Sequence, residues 1–201
     1  MTSSSGSSRG PRAMVVFATA AALVLAPMLV GWHWAKLGWR DRHYNYPPRP
    51  TGYSQIVNRF GQPCSADAHA VSMSWTAADN RVTYTVAFHK KLGGYPTEMV
   101  SNKGGKSTNL DNDVYGHIQN DHLIGYTKSG IWGYACRYIK GGTSWSTHAF
   151  GIAVDISASY EPMGNCYSSV NKNFAFEFKN HGWRWGLDFC DPMHFQYAFG
   201  Y

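Results

Sequence analysis

Two alternating stretches open the readable part of the chain. In "VSMSW", Val71, Met73 and Trp75 share one face, and in "VTYTVAFH", Val82, Tyr84, Val86 and Phe88 do the same. Between them "TAADNR" carries the turn formers Asp79 and Asn80. A period of two on both sides of a turn predicts a β-hairpin. From Thr108 to Tyr126 the period lengthens, with Val114, Ile118 and Leu123 on one side of a weak helix. Strands are expected again at Trp132–Ile139 and Gly151–Ser157, then a helix from Val170 to Asn180 ended by Gly182. This order predicts an α+β fold, a single small domain with an antiparallel sheet and flanking helices, rather than a βαβ wind.

Ahead of this domain the pattern changes. Residues 1–12 form a polar, basic tail, and residues 13–32, "AMVVFATAAALVLAPMLVGW", form a charge-free apolar segment. A run of about 20 apolar residues matches the bilayer's hydrocarbon core, so it reads as an export signal or an uncleaved membrane anchor. Ala18, Ala20 and Ala22 suit a signal peptidase, whereas Trp32 and Trp34 sit where interfacial aromatics hold a permanent helix. The anchor is preferred. Lys36, Arg40 and Arg42 follow the segment, so charge does not set its orientation. Residues 33–52, with Pro47, Pro48 and Pro50, read as a linker, and residues 53–201 as the folded domain.

The net charge of +6 raises the question of a nucleic-acid partner. Up to residue 50 there are six Lys/Arg and one Asp, a surplus of five; from residue 51 there are twelve basic and eleven acidic residues, a surplus of one. The domain is nearly neutral and lacks the electrostatic footprint of a DNA or RNA binder. Four cysteines, Cys64, Cys136, Cys166 and Cys190, show no CxxC spacing. In an exported protein they fit two disulfides, with three pairings open.

Chemistry concentrates in two places. "SWSTHAFGIAVDIS" carries His148 and, seven residues on, Asp155 in an otherwise apolar strand. A buried carboxylate is costly unless paired, hydrogen-bonded or holding a metal. Ile152, Val154 and Ile156 point one way and Asp155 the other, while Gly151 lets the chain turn His148 over the same face. A catalytic zinc site needs three protein ligands and an open position. "WRWGLDFCDPMHFQYAFGY" offers the third, His194, with Asp191 three residues before it across Pro192. Two histidines and an aspartate with an unligated acid beside them form the layout of a metallohydrolase. His69, His89, His117, His122 and His181 lack this spacing and are expected to be structural or solvated.

Together, Ser146, His148, Gly151, Ala153 and Asp155 ("SxHxxGxAxD"), then Asp191, Met193, His194 and Phe195 ("DxMHF"), closely resemble the zinc D-alanyl-D-alanine carboxypeptidase and L-alanyl-D-glutamate peptidase family of bacteria and their phages. "GYACRYIKGG" resembles, more loosely, a strand before the first motif of that family. The resemblance implies zinc on His148, Asp155 and His194 in a cleft on the sheet, and Asp191 as general base. It further implies Arg137 as the group that grips or polarises substrate, and Ser146 close to substrate. The substrate it implies is the stem peptide of peptidoglycan, met outside the cytoplasmic membrane. Carboxypeptidases of the family often carry Glu at the general-base position, so Asp191 favours the endolysin-like cleavage of L-Ala–D-Glu over release of terminal D-Ala. Phe195, Trp185 and Tyr197 are expected to line the cleft. A bridge between Cys136 and Cys190, which precede Arg137 and Asp191, is the expected pairing. The rival reading is a non-catalytic domain that keeps the fold and a structural metal while binding cell wall or a protein.

Overall fold

The computed structural model describes residues 49–93, 110–170 and 172–200. The polar tail, the apolar segment 13–32 and the linker up to residue 48 lie outside them. Among the described residues no helix is long and apolar enough to cross a membrane.

The expected hairpin is present, as β1 (Val71–Thr76) and β2 (Thr83–Phe88), paired antiparallel with Met73 opposite Val86 and Trp75 opposite Tyr84. Met73, Trp75, Val86 and Phe88 are buried, so the period of two marks the core face. The turn also behaves as read, since Asn80 Oδ1 accepts from Val82 N–H.

The helix expected near Val114 begins as a π-type run, Leu110–Tyr115, and continues as α2 (Gly116–Asn120), burying Val114, Ile118 and Leu123. The helix before it, α1 (Gly52–Phe60), falls where a linker was expected to give way to the domain. Ile56 and Phe60, four apart, turn one face of α1 into the core. Gln55 Oε1 accepts from the Thr51 N–H at its start. The helix at the C-terminal end is α3 (Lys172–Asn180), which buries Phe174, Ala175 and Phe178 and stops before Gly182.

The strand expected over Gly151–Ser157 is present in shortened form, as Ala153–Asp155, but the one before it is not. Trp132–Ile139 makes no regular strand, only isolated bridges of Trp132 with Asp155 and of Tyr138 with Trp145. The cause is divided loyalty in its backbone: Trp132 N–H goes to Asp155, Tyr134 N–H to Ala87 and Ala135 N–H to His148. A ladder needs one partner throughout. The expected single sheet is two separate antiparallel sheets, β1–β2 and a second ordered β3 (Ala153–Asp155), β5 (His194–Gln196), β4 (Arg184–Trp185).

An aromatic core backs the second sheet. Phe195 stacks on Phe178 at 4.1 Å between centroids, Phe174 and Trp183 pack edge-on against this pair, and Tyr197 continues the cluster edge-on to Trp183 and Phe60. The chain is closed by two disulfides, Cys64–Cys136 and Cys166–Cys190, so the expected Cys136–Cys190 bridge is wrong. Cys136, before Arg137, and Cys190, before Asp191, are instead tied to different loops. Near the bridges, Cys64 N–H bonds the Ala149 carbonyl and Gly164 N–H bonds the Cys190 carbonyl.

Candidate metal centre

β3 and β5 set the centre through their register. Asp155 stands opposite His194, and Val154 opposite Phe195. The bonds Ile156 N–H to Met193 O and Tyr197 N–H to Ile152 O fall on alternate pairs. Asp155 and His194 therefore form a non-hydrogen-bonded pair, the kind whose side chains lie closer. His148 comes from a 3₁₀ turn, Thr147–Phe150, whose first N–H groups are capped by Ser146 Oγ accepting from His148 N–H at 3.3 Å. Gly151 ends that turn at φ 65°, and a Cβ there would strike the Ala68 carbonyl. Only glycine lets the chain pass from His148 into β3 at this point.

The three donors meet. His148 Nε2 lies 3.1 Å from His194 Nδ1, His194 Nδ1 lies 2.9 Å from Asp155 Oδ1, and His148 Nε2 lies 3.2 Å from the same oxygen. Ligands on a tetrahedral zinc with bonds of about 2.0–2.1 Å stand roughly 3.3 Å apart, so these separations are within a few tenths of an ångström of a coordination edge. No fourth donor joins the group among the described residues.

The surrounding bonds decide which atoms present lone pairs. His148 Nδ1–H donates to the Gly133 carbonyl at 2.6 Å, leaving Nε2 as an acceptor. Gln196 Nε2–H donates to the Ala198 carbonyl, which turns its Oε1 toward His194. That oxygen accepts from His194 Nε2–H at 2.9 Å and from Thr147 Oγ1–H at 3.1 Å, so His194 Nδ1 is also an acceptor. Trp132 Nε1–H occupies Asp155 Oδ2 at 3.1 Å and leaves Oδ1 facing the imidazoles. Two lone pairs and a carboxylate oxygen thus point at one another in a buried place, and that arrangement demands a cation. Gly133, Trp132, Thr147 and Gln196 were not identified from sequence, because each reaches the centre only through tertiary contact.

Electrostatics express the same demand. Burial works to raise the Asp155 pKa, yet His148 and His194 hold its carboxyl far below the usual carboxylate range. Burial works to lower the His194 pKa, but the bond to Asp155 and its charge raise it. Without a metal, a proton on the imidazole is the cation the site can recruit.

Asp191 sits beside this group. Its carboxyl is pushed up, first by burial and further by the Asp155 charge, against the lowering pull of His194, His148 and Arg137. Asp191 Oδ1 is buried without a hydrogen-bond partner. Asp191, Arg137, Ser146, His148, Asp155 and His194 all line one cleft of about 980 Å³. Arg137 is exposed at its rim, its Nη1–H donating to the Tyr138 carbonyl.

Three residues expected in the cleft are elsewhere. Phe195 and Tyr197 are fully buried in the aromatic core, because β5 alternates and gives the cleft His194 and Gln196. Trp185 is half-buried, with Nε1–H donating to the Pro192 carbonyl, and steadies the turn before His194. The apolar wall comes from Trp132, Tyr138, Met163 and Phe189 instead.

Residues 140–197 match the family described as D-alanyl-D-alanine carboxypeptidase, which bears out the resemblance carried by the two motifs and supports a metallopeptidase. The match spans His148, Asp155, Asp191 and His194; Arg137 and the hairpin lie before it. No curated protein and no solved structure gives a significant match.

Proposed function

We propose that this chain, matched over residues 140–197 by the D-alanyl-D-alanine carboxypeptidase family, is a zinc-dependent peptidase acting on the stem peptides of bacterial peptidoglycan. The observation that carries the reading is the convergence of His148, Asp155 and His194 within 3.2 Å, next to an unpartnered carboxylate oxygen of Asp191. A zinc ion held by those three residues would supply Lewis acidity at an open fourth position, polarising the scissile carbonyl and acidifying water. The chain's own groups do the rest. Asp191 Oδ1 takes the proton of the attacking water and returns it to the leaving amine; a carboxyl that burial holds above its ordinary pKa is suited to both transfers. Arg137, with its guanidinium at the cleft rim, meets a substrate carboxylate or the charge that develops on the carbonyl oxygen. Ser146 acts mainly by orienting His148 through its N–H.

The bond favoured is L-Ala–D-Glu. Aspartate rather than glutamate at the base position supports this. So does a cleft of about 980 Å³, at the upper end of the roughly 300–1,000 Å³ usual for ligand pockets, which suits a peptide running through it. Release of terminal D-Ala is the second reading, favoured by the description of the matched family and by Arg137 as a carboxylate receptor. The protein would work outside the cytoplasmic membrane, exported or held by residues 13–32 if these are not cleaved, and two disulfides suit that oxidising side. A purely binding domain is disfavoured, since a structural zinc is normally closed by a fourth protein ligand.

The test uses intact cell-wall sacculi digested by the full chain, with newly freed amino groups labelled. New amino termini on D-Glu that vanish with a zinc chelator are expected. Free D-Ala alone transfers the assignment to the second reading, and no new amine of either kind refutes the proposed activity.

A further inference from the structure

A second set of metal-type donors lies away from the cleft. We propose that His117, Glu177 and His181 hold a second divalent metal ion, of the zinc class, that clasps α2 to α3. Glu177 sits in α3 and His181 four residues on, one helical turn along the same face, and His117 comes from α2. Their ligand atoms lie within 4.8 Å of one another. His117 Nδ1 is 3.9 Å and His181 Nε2 3.8 Å from the same oxygen, Glu177 Oε2. The imidazole rings stand 5.0 Å apart between centroids.

These separations carry the argument. They are too long for hydrogen bonds between those atoms. They exceed the edge of a tetrahedral zinc site, about 3.3 Å, by only about half an ångström. Glu177 Oε2 is common to both separations and His117 is the most exposed member, with 25% of its side chain open, so small rotations of these two side chains bring the donors to that edge. Glu177 and His181 are 2% and 0% exposed, so the packing around α3 fixes both donors in place. One divalent ion between them would serve all three donors. Two imidazoles and one carboxylate form a donor set that zinc accepts, and the partly open His117 gives an ion its way in.

The experiment counts metal on the full chain, stripped with a chelator, reloaded with Zn²⁺, desalted and weighed by native mass spectrometry. Wild type is expected to carry two ions, His194→Ala one, His117→Ala one and the double variant none. Glu177→Gln, which keeps the side chain's volume, is expected to match His117→Ala. A His194→Ala protein without zinc overturns the proposal, and so does a second ion that survives both His117→Ala and Glu177→Gln. Failure of the cleft site looks different: wild type would carry a single ion that His117→Ala loses and His194→Ala keeps, which leaves this proposal standing.

Discussion

The two His–carboxylate–His groups use the same donor types but are built differently. In the cleft, a strand pair fixes Asp155 against His194, and second bonds from Gly133, Gln196, Thr147 and Trp132 settle each donor's lone pair, with separations of 2.9–3.2 Å. Away from the cleft, helical spacing sets Glu177 and His181 together and a neighbouring short helix adds His117, with separations of 3.8 and 3.9 Å. The cleft group also has Asp191 and Arg137 beside it in 980 Å³ of open space. The difference teaches that three ligands make a binding site, while an unligated acid and room for substrate make a reactive one. The cleft group has both, and the second group has the donors alone.

The comparison breaks most completely at His194. His194→Ala removes one of the three gathered donors, and hydrolysis is expected to fall to background while the protein still folds, checked by product formation alongside circular dichroism. Asp191→Asn comes next. It leaves the donors intact, so zinc should stay bound while turnover drops about 10²–10⁴-fold, the usual contribution of a general acid–base group. The same variant should melt at a higher temperature, because a buried carboxyl with a raised pKa disfavours the fold once ionised. Wild-type turnover in Asp191→Asn would take this residue out of the mechanism.

A smaller effect sharpens the role of the supporting bonds. Gln196→Leu removes the acceptor that keeps the proton on His194 Nε2, and should weaken zinc binding about 10–100-fold, as loss of an outer partner typically does. Gln196→Glu retains an acceptor and should recover most of it, which competition with a chelating dye would reveal. Equal affinities in both variants would reduce Gln196 to packing.

With the Asp191 carboxyl raised, the base form is lost as pH falls, and the acid limb of kcat/KM should lie above the roughly 3.9 of an unperturbed aspartate. Zinc content measured at the same pH separates this from ligand protonation. An acid limb that follows metal loss alone would assign it to His148 and His194 instead.

The cleft group was legible because its residues fall in two short motifs whose spacing carries meaning. Its outer partners were not, since Trp132 and Gln196 acquire their roles only when β3 meets its neighbours. Phe195 and Tyr197 show a period left unread. Once His194 faces the cleft, alternation sends both into the core. Glu177 and His181 carried the i, i+4 signal in "EFKNH", but His117, sixty residues earlier, could join them only through the packing of two helices. Pairing of the cysteines was equally open, because it follows from which loops the fold brings side by side.

Mass spectrometry of defined muropeptides incubated with the full chain, with and without a zinc chelator and beside the Asp191→Asn protein, decides whether the cleft hydrolyses stem peptides. A stem split behind its first L-Ala, abolished by chelation and strongly slowed in Asp191→Asn, is the expected result. An uncleaved stem in the presence of fully zinc-loaded wild-type protein would contradict it.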